Sequence, residues 1–293
     1  MLTGTITKNL VSIIDESLNL TDNSANNYHL SIQFGLRGFS ISILSVPRNK
    51  FLYLKSFSFL KPITADEVIY EIEKVLLDER IIDQAFKTVN IAFLGKKSTL
   101  VPLPLFEKNK AKEYLLYNAE ISDSENVFFD TLQNMEAVNV YALEQLKVDW
   151  IRSCFPAANI MHHSTCLIDS LLGQNKNTLT EATLFVNIGE SNFEVVLIDK
   201  KDLVFYNSFD YQSSEDFVYF LLFVCEQLKL NPENLRLKLM GEIEKNSPLY
   251  TIISKYIRDV SFVDRNEVFE FSYGFYEIPD HFYFTLFNQS LIQ

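Results

Sequence analysis

Glycine is scarce in this chain, at 8 of 293 residues, under half of the usual ~7 %. Loops that wrap a phosphate in main-chain N–H groups use glycine to bring the backbone close, so few such loops can be built here. Cysteine is rare as well. Cys154, Cys166 and Cys225 are odd in number and irregularly spaced, which speaks against a disulfide framework and for reduced thiols. A cytoplasmic location follows as an expectation, and the Asn19-Leu20-Thr21 sequon carries no weight. No apolar run nears the ~20 residues that span a bilayer. The longest, Phe217 to Cys225, reads as a buried helix. The opening MLTGTITKNLVSIIDESLNL lacks the positive start and apolar stretch of a secretory signal. Basic excess is missing too: 26 Lys and Arg face 38 Asp and Glu, for a net charge of −12. Duplex nucleic acid and anionic membranes recruit clustered cations, so neither is an expected partner.

Aromatic residues are plentiful, with 25 Phe and 14 Tyr, which favours strands and thick cores. They help to write one sentence twice. HLSIQFGLRGFSISIL (residues 29–44) and TLFVNIGESNFEVVLID (residues 183–199) are both strand–turn–strand. Gln33-Phe34-Gly35 aligns with Asn187-Ile188-Gly189, and Phe39, Ile41, Ile43 align with Phe193, Val195, Leu197. Period-two alternation predicts strands with one packed face, and each glycine sits where a tight hairpin begins. FLYLKSFSF (51–59) then aligns with LVFYNSFDY (203–211). Each copy next enters a helix. The first runs from Ala65 to Leu77 behind a Thr64/Glu67 capping box; the second runs from about Glu215 to Leu228. A further strand follows each, TVNIAFL and LRLKLMG.

Between the copies, Glu107–Ala119 reads as helix, ENVFFDTL and AVNVYAL as strands around a turn near Asn134, and Leu143–Ser153 as helix. ANIMHH reads as a short strand, and Thr165–Leu172 as a helix ending at Gly173. The polar stretch Gly173–Glu181 is the best boundary in the chain.

This duplicated unit resembles the actin-like ATPase fold, the ribonuclease-H-like duplication of actin and sugar kinases. VNVYALEQLKVDWIRSCFPAANIMHHSTCLIDSLL followed by LFVNIGESNFEVVLID looks most like the cytoplasmic actin-like proteins of type IV pilus assembly and type II secretion. The whole chain also resembles an uncharacterised family of Bacteroides-type bacteria. The resemblance covers roughly residues 28–260 and implies an α/β protein of two ribonuclease-H-like domains, each a mixed five-stranded sheet with helices. The expected boundaries are residues 1–178 for the first domain, with residues 276–293 packing back on it, and 179–275 for the second.

The family's nucleotide chemistry has three signatures, and here all three depart from it. The first hairpin carries Asp-x-Gly-Thr/Ser in the family and Gln33-Phe34-Gly35-Leu36 here; the second carries Asp-x-Gly-Gly/Ser there and Asn187-Ile188-Gly189-Glu190 here. The adenosine motif, an apolar strand ending in Gly-Gly, is Leu239-Met240-Gly241-Glu242. The turn glycines are kept, as hairpin geometry requires, and both carboxylates have become neutral amides. Phosphoryl transfer depends on Mg²⁺ neutralising phosphate charge, and Mg²⁺ is usually held through carboxylates and water. Glu190 and Glu242 add negative charge where the family presents small residues to phosphate. The resemblance therefore implies Gln33, Gly35, Asn187, Gly189 and Gly241 as the nucleotide-contacting positions only if a nucleotide binds. No catalytic residue, cofactor or metal is expected, with Mg-ATP as the ligand if the motifs still bind one.

Three other features tempt. GKKST (Gly95–Thr99) lacks the earlier glycine of a P-loop and reads as a hairpin turn with solvated lysines. His162-His163 with Cys154 and Cys166 lacks the paired spacing of a zinc site and reads as a strand end beside a buried thiol. In the tail, Phe269, Phe271, Tyr273 and Phe275 alternate as on one face of a strand, a core face or a docking face. Residues 281–291 then read as a terminal helix. The expectation is a non-catalytic scaffold or protein-binding module that takes a protein partner and is compatible with a homodimer. The alternative is a nucleotide-binding ATPase or kinase of the same superfamily with a rearranged metal site, which needs a further Asp or Glu beside Gln33 or Asn187.

Overall fold

The computed structural model describes residues 7–20, 27–61 and 63–292; Thr21 of the sequon lies outside them. The chain forms two compact units. The first comprises Met1–Asp169, Glu267–Glu277 and Thr285–Gln293, and the second Ser170–Asn266 and Ile278–Phe284. In chain order the elements are β1 (Thr7–Ile14), β2 (Tyr28–Gly35), β3 (Gly38–Ser45), β4 (Lys50–Phe59), α1 (Ala65–Asp78), β5 (Thr88–Phe93), β6 (Ser98–Pro102), α2 (Ala111–Leu116), β7 (Glu125–Thr131), β8 (Ala137–Glu144), α3 (Gln145–Cys154), β9 (Asn159–His162) and α4 (His163–Asn175). There follow β10 (Thr183–Ile188), β11 (Asn192–Asp199), β12 (Asp202–Asp210), α5 (Ser214–Gln227), β13 (Arg236–Gly241), α6 (Pro248–Ile253) and β14 (Asp259–Phe262), then β15 (Glu270–Phe271) and α7 (Phe284–Asn288).

The repeat written in the sequence is a repeat in space. Strands β4-β3-β2-β5-β9 of the first unit and β12-β11-β10-β13-β14 of the second have the same order. In each, a three-strand antiparallel meander continues into two parallel strands. The alternating apolar residues explain the strands: Leu30, Ile32, Phe34 and Leu184, Val186, Ile188 are all buried on equivalent strands. The first sheet is widened by β1 and β15 on the outer side of β4. A separate three-stranded sheet, β6-β8-β7, lies between β5 and β9 in sequence.

The crossover helices start where the sequence says. Thr64 and Glu67 form the capping box in both directions, and Ser213 accepts from the Asp216 N–H. Val68, Ile72 and Leu76 recur every fourth residue and are fully buried, as are Phe217 and Leu221 of α5. On the other side of β4, Phe51 packs in a ring cluster with Phe269, Phe271 and Phe287, at centroid distances of 5.2, 5.2 and 4.8 Å.

Several local expectations change. Gly173 does not stop α4, which continues to Asn175; Leu167, Ile168, Leu171 and Leu172 are buried, and that packing outweighs the ~1 kcal/mol cost of a helical glycine. The helix expected over Glu107–Ala119 shrinks to α2 after a 3₁₀ turn at Lys108–Lys110, because only Ala111 and Leu115 give it a buried contact. GKKST is not a hairpin turn: it joins β5 to β6, which belong to different sheets, and Lys97 pairs with Glu125 at 2.7 Å. The aromatic tail is not one strand. β15 spans two residues and a 3₁₀ turn follows at Tyr273–Glu277, which buries Phe275 and exposes Tyr273. The terminal helix is likewise limited to α7 and a 3₁₀ turn at Gln289–Leu291. The apolar run of α5 is buried on one face only, since Tyr219 and Phe223 are 64 % and 44 % exposed.

Candidate functional site

In the first unit, Gln33 and Gly35 lie at the end of β2. Gly35 pairs with Gly38 across the turn Leu36-Arg37. Neither glycine has positive φ; packing demands them. A Cβ on Gly35 would sit 2.8 Å from the Leu94 Cβ, and one on Gly38 would overlap the Phe57 carbonyl oxygen. Leu36, at the family's hydroxyl position, is exposed. The Gln33 amide is engaged: its Oε1 accepts from the Thr285 hydroxyl at 2.7 Å.

In the second unit, Asn187, Gly189 and Gly241 converge at the carboxyl ends of the parallel strands β10 and β13, where Ile188 pairs with Gly241. Open α/β sheets bind ligands at that end. Asn187 and Glu194 are cross-strand partners. The Asn187 Nδ2 donates to Glu194 Oε2 at 2.9 Å, and the Tyr206 hydroxyl donates to Glu194 Oε1 at 2.6 Å. Both oxygens of this buried carboxylate are thus in use. The Tyr211 hydroxyl donates to the Gly189 carbonyl at 2.6 Å, and the Gly189 N–H donates to the Asn192 carbonyl at 2.9 Å.

The glycines of this unit are not equivalent. Gly241 has φ +86°, a conformation that favours glycine. A Cβ there would overlap the Ile188 carbonyl oxygen and lie 2.8 Å from Asn187 Oδ1. The Gly241 N–H donates to the His281 carbonyl at 3.0 Å, and the Glu242 N–H donates to Ile188 O at 2.6 Å. Gly189 has ordinary φ, and its nearest neighbour to an added Cβ is the Asn192 side-chain oxygen at 3.2 Å. Hairpin geometry therefore requires neither turn glycine: Gly35 is demanded by packing against Leu94, and Gly189 has ordinary φ and room for a Cβ.

The electrostatics around Gly241 are acidic. Glu242 keeps contact with solvent while protein atoms crowd it. Burial first, and the charge of Glu190 second, push its carboxyl above the ordinary carboxylate range. Burial followed by Glu242 and Glu190 pushes the Tyr211 hydroxyl up as well. An incoming phosphate would meet this pair as repulsion.

Sequence reasoning passed over Asp130. It sits on β7 and accepts from the His162 N–H at 2.9 Å and the Thr165 hydroxyl at 2.7 Å through Oδ2, and from the Tyr141 hydroxyl at 3.1 Å through Oδ1. Next to it, Asn139 donates to Ser164 and Thr165, both at 2.9 Å. Asp169 accepts from the Gln133 and Asn134 N–H groups at 2.7 and 3.0 Å. Asp130 lies in a mixed polar and apolar strand without a motif, so nothing local marked it. Burial raises its carboxyl to about 6. The folded state therefore holds this proton more tightly than the unfolded chain, and native stability falls as pH rises from about 4 to about 6. Asp130→Asn removes that titration and replaces an acceptor with a donor. The stability gap between native and variant should be larger at about pH 5 than at about pH 7.5, by about 1 kcal/mol. Urea unfolding at both pH values measures it; a pH-independent gap would show that Asp130 is ionised throughout.

The His162-His163 segment ends β9 and begins α4, with His162 Nδ1 bonded to Ser164 Oγ at 2.7 Å. Among the described residues no group of three or more His, Cys, Asp or Glu is placed to hold a metal ion. Nor is any described helix long and apolar enough to cross a membrane.

Solved structures repeat this architecture. A Bacteroides thetaiotaomicron protein with an actin-like ATPase fold and unknown function superposes with a TM-score of 0.71 at 23 % identity, covering 82 % of this chain and 92 % of that one. The PilM-PilN type IV pilus biogenesis complex contains a chain that matches with a TM-score of 0.56 at 14 % identity, over 90 % of this chain and 98 % of that one. The fold is thus the actin-like ATPase fold expected from the repeat. No curated protein matches the sequence. Residues 17–260 match the family described as Protein of unknown function (DUF3822), and the chain belongs to that family.

Proposed function

We propose that this chain is a non-catalytic actin-like scaffold or protein-binding module. The observation that carries the reading is the state of Asn187. At the position of the second motif carboxylate stands a neutral amide, and its Nδ2 is committed to Glu194. Gln33 is similarly tied to Thr285, and Glu190 and Glu242 add charge of the wrong sign for phosphate. These residues do not fit a magnesium–nucleotide complex, which needs carboxylate or water ligands for the ion and neutral or positive surroundings for the phosphates. Gln33, Gly35, Asn187, Gly189 and Gly241 then mark retained architecture. A protein partner is supported by the likeness to PilM, a protein whose structure is of a complex with PilN. A cytoplasmic setting is supported by three free cysteines, two of them buried.

One observation favours the second reading, an ATPase or kinase with a rearranged metal site. Glu194 supplies a carboxylate directly beside Asn187. A phosphate-release assay with Mg-ATP separates the two. The scaffold reading expects release no faster than the protein-free blank. Turnover by the native chain that disappears in Glu194→Gln would establish the enzyme.

A further inference from the structure

Between β5 and β9, α3 has a counterpart in the α6 that separates β13 from β14, but the β6–β8 insertion has none in the second unit, so the repeat does not require it. Within it, Pro102, Leu103, Pro104 and Leu105 follow one another and all four are exposed. Runs of this kind work against solubility, and persist where something covers them. The run is held against α2: the Tyr114 hydroxyl donates to the Leu105 carbonyl at 2.7 Å, and Phe106 packs on Tyr114 and Phe129 at 6.1 and 5.0 Å. Just beyond α2's buried Leu115, Leu116 and Tyr117 are exposed at 54 % and 87 %. From Gly95 to Tyr117 five lysines face two glutamates, in a chain of net charge −12; Lys97 is paired with Glu125 and Lys110 with Glu107. Lys108 and Lys112 are exposed.

The opposite chemistry lies on α5. Its exposed residues include Glu215, Asp216, Tyr219, Phe223 and Glu226, and the helix contains no Lys or Arg. The Tyr219 and Phe223 rings stack 6.4 Å apart, inclined by 17°, one turn from each other. They form a flat aromatic surface with carboxylates toward both ends of the helix.

We propose that these two surfaces dock between copies of the chain, the Pro102–Leu105 run and α2 of one molecule lying on the α5 face of the next. The leucines cover the exposed rings, and Lys108 and Lys112 meet α5's carboxylates and ring faces. Neither surface alone matches itself in charge, which is why the contact joins unlike patches. Such a contact either pairs reciprocally in a closed two-fold dimer or leaves one surface of each kind free and continues past two copies. It does not depend on the state of the nucleotide motifs.

Sedimentation of the full chain over a concentration series tests the contact. The weight-average mass should rise above the 34.0 kDa monomer with concentration and fall with added salt. Leu105→Asp and Phe223→Lys should each return the chain to monomer with an unchanged melting temperature, because both side chains face solvent. Mixed together, the two variants should form a pair and nothing larger, since each keeps the surface that the other lacks. A native chain that stays monomeric overturns the proposal, whether or not it adsorbs to anionic phosphatidylglycerol vesicles through Leu105. So does association that survives both substitutions, or a variant mixture that fails to pair while the native chain associates.

Discussion

Gly241→Ala is expected to destabilise the protein by about 4 kcal/mol, in the upper range of single-substitution effects. Two independent penalties combine. The backbone at φ +86° is costly for any residue with a Cβ, and the added carbon would overlap the Ile188 carbonyl oxygen of the neighbouring parallel strand. That oxygen cannot move aside freely, because it accepts the Glu242 N–H at 2.6 Å. Relief would require parting β10 from β13 at the point where Ile188 faces Gly241. Gly189→Ala is the paired control. Its φ is ordinary and the nearest atoms to an added Cβ are the Asn192 side-chain and carbonyl oxygens at 3.2 and 3.4 Å, so a change within about 1 kcal/mol is expected. Urea unfolding of both variants measures the contrast. Equal losses would mean that the turn at Gly189 is strained in a way its geometry does not display.

Restoring the family's second carboxylate should harm the protein. Asn187→Asp places a carboxylate oxygen where the amide nitrogen now sits, 2.9 Å from Glu194 Oε2. The substitution loses a charge-assisted hydrogen bond and sets a half-buried carboxylate beside the buried Glu194, at a cost of about 3 kcal/mol at neutral pH. The sign of its pH dependence follows. One carboxyl of the pair must have a folded pKa above its unfolded value near 4, so the folded variant binds more protons than its unfolded chain. Its deficit against the native protein should therefore shrink as pH falls from about 7 toward about 5. Unfolding midpoints of native and variant at those two pH values decide it. A deficit that is the same at both, or absent, would show that Glu194 does not share the site with residue 187 as a charge.

What was legible in the sequence was what repeats. The two hairpins, the two crossover helices and the strands after them follow from period-two and period-four burial and from caps such as Thr64/Glu67, which are local. Gly241 was found only through the resemblance, because a single glycine ending an apolar strand does not announce a positive φ. Glu194 and Asp130 were missed for a common reason. Each acquires its meaning from a partner across a sheet: Asn187 and Tyr206 in one case, Tyr141, His162 and Thr165 in the other. In sequence, Glu194 was one polar residue alternating with Phe193 and Val195. The tail failed differently. Alternation from Phe269 to Phe275 is also satisfied by a two-residue strand followed by a 3₁₀ turn, since Phe271 and Phe275 both pack against Phe51 while Tyr273 swings out.

The exposed rings of α5 show a related limit. Phe217–Cys225 is apolar enough to suggest a helix buried all round, and periodicity has nothing polar with which to reveal an outer face. Only burial separates Phe217 and Leu221 from Tyr219 and Phe223. Apolar residues that the core does not use are then left for association.

The most direct test of the central claim, that the nucleotide motifs survive as architecture without their chemistry, is thermal unfolding with and without millimolar Mg-ATP. A ligand at 100 times its dissociation constant stabilises the folded state by about 2.7 kcal/mol, which in a chain of this size raises the melting temperature by roughly 5 °C. The scaffold account predicts superimposable melting curves. A magnesium-dependent rise of several degrees, lost in Glu194→Gln, would contradict it and place a working nucleotide site at Asn187.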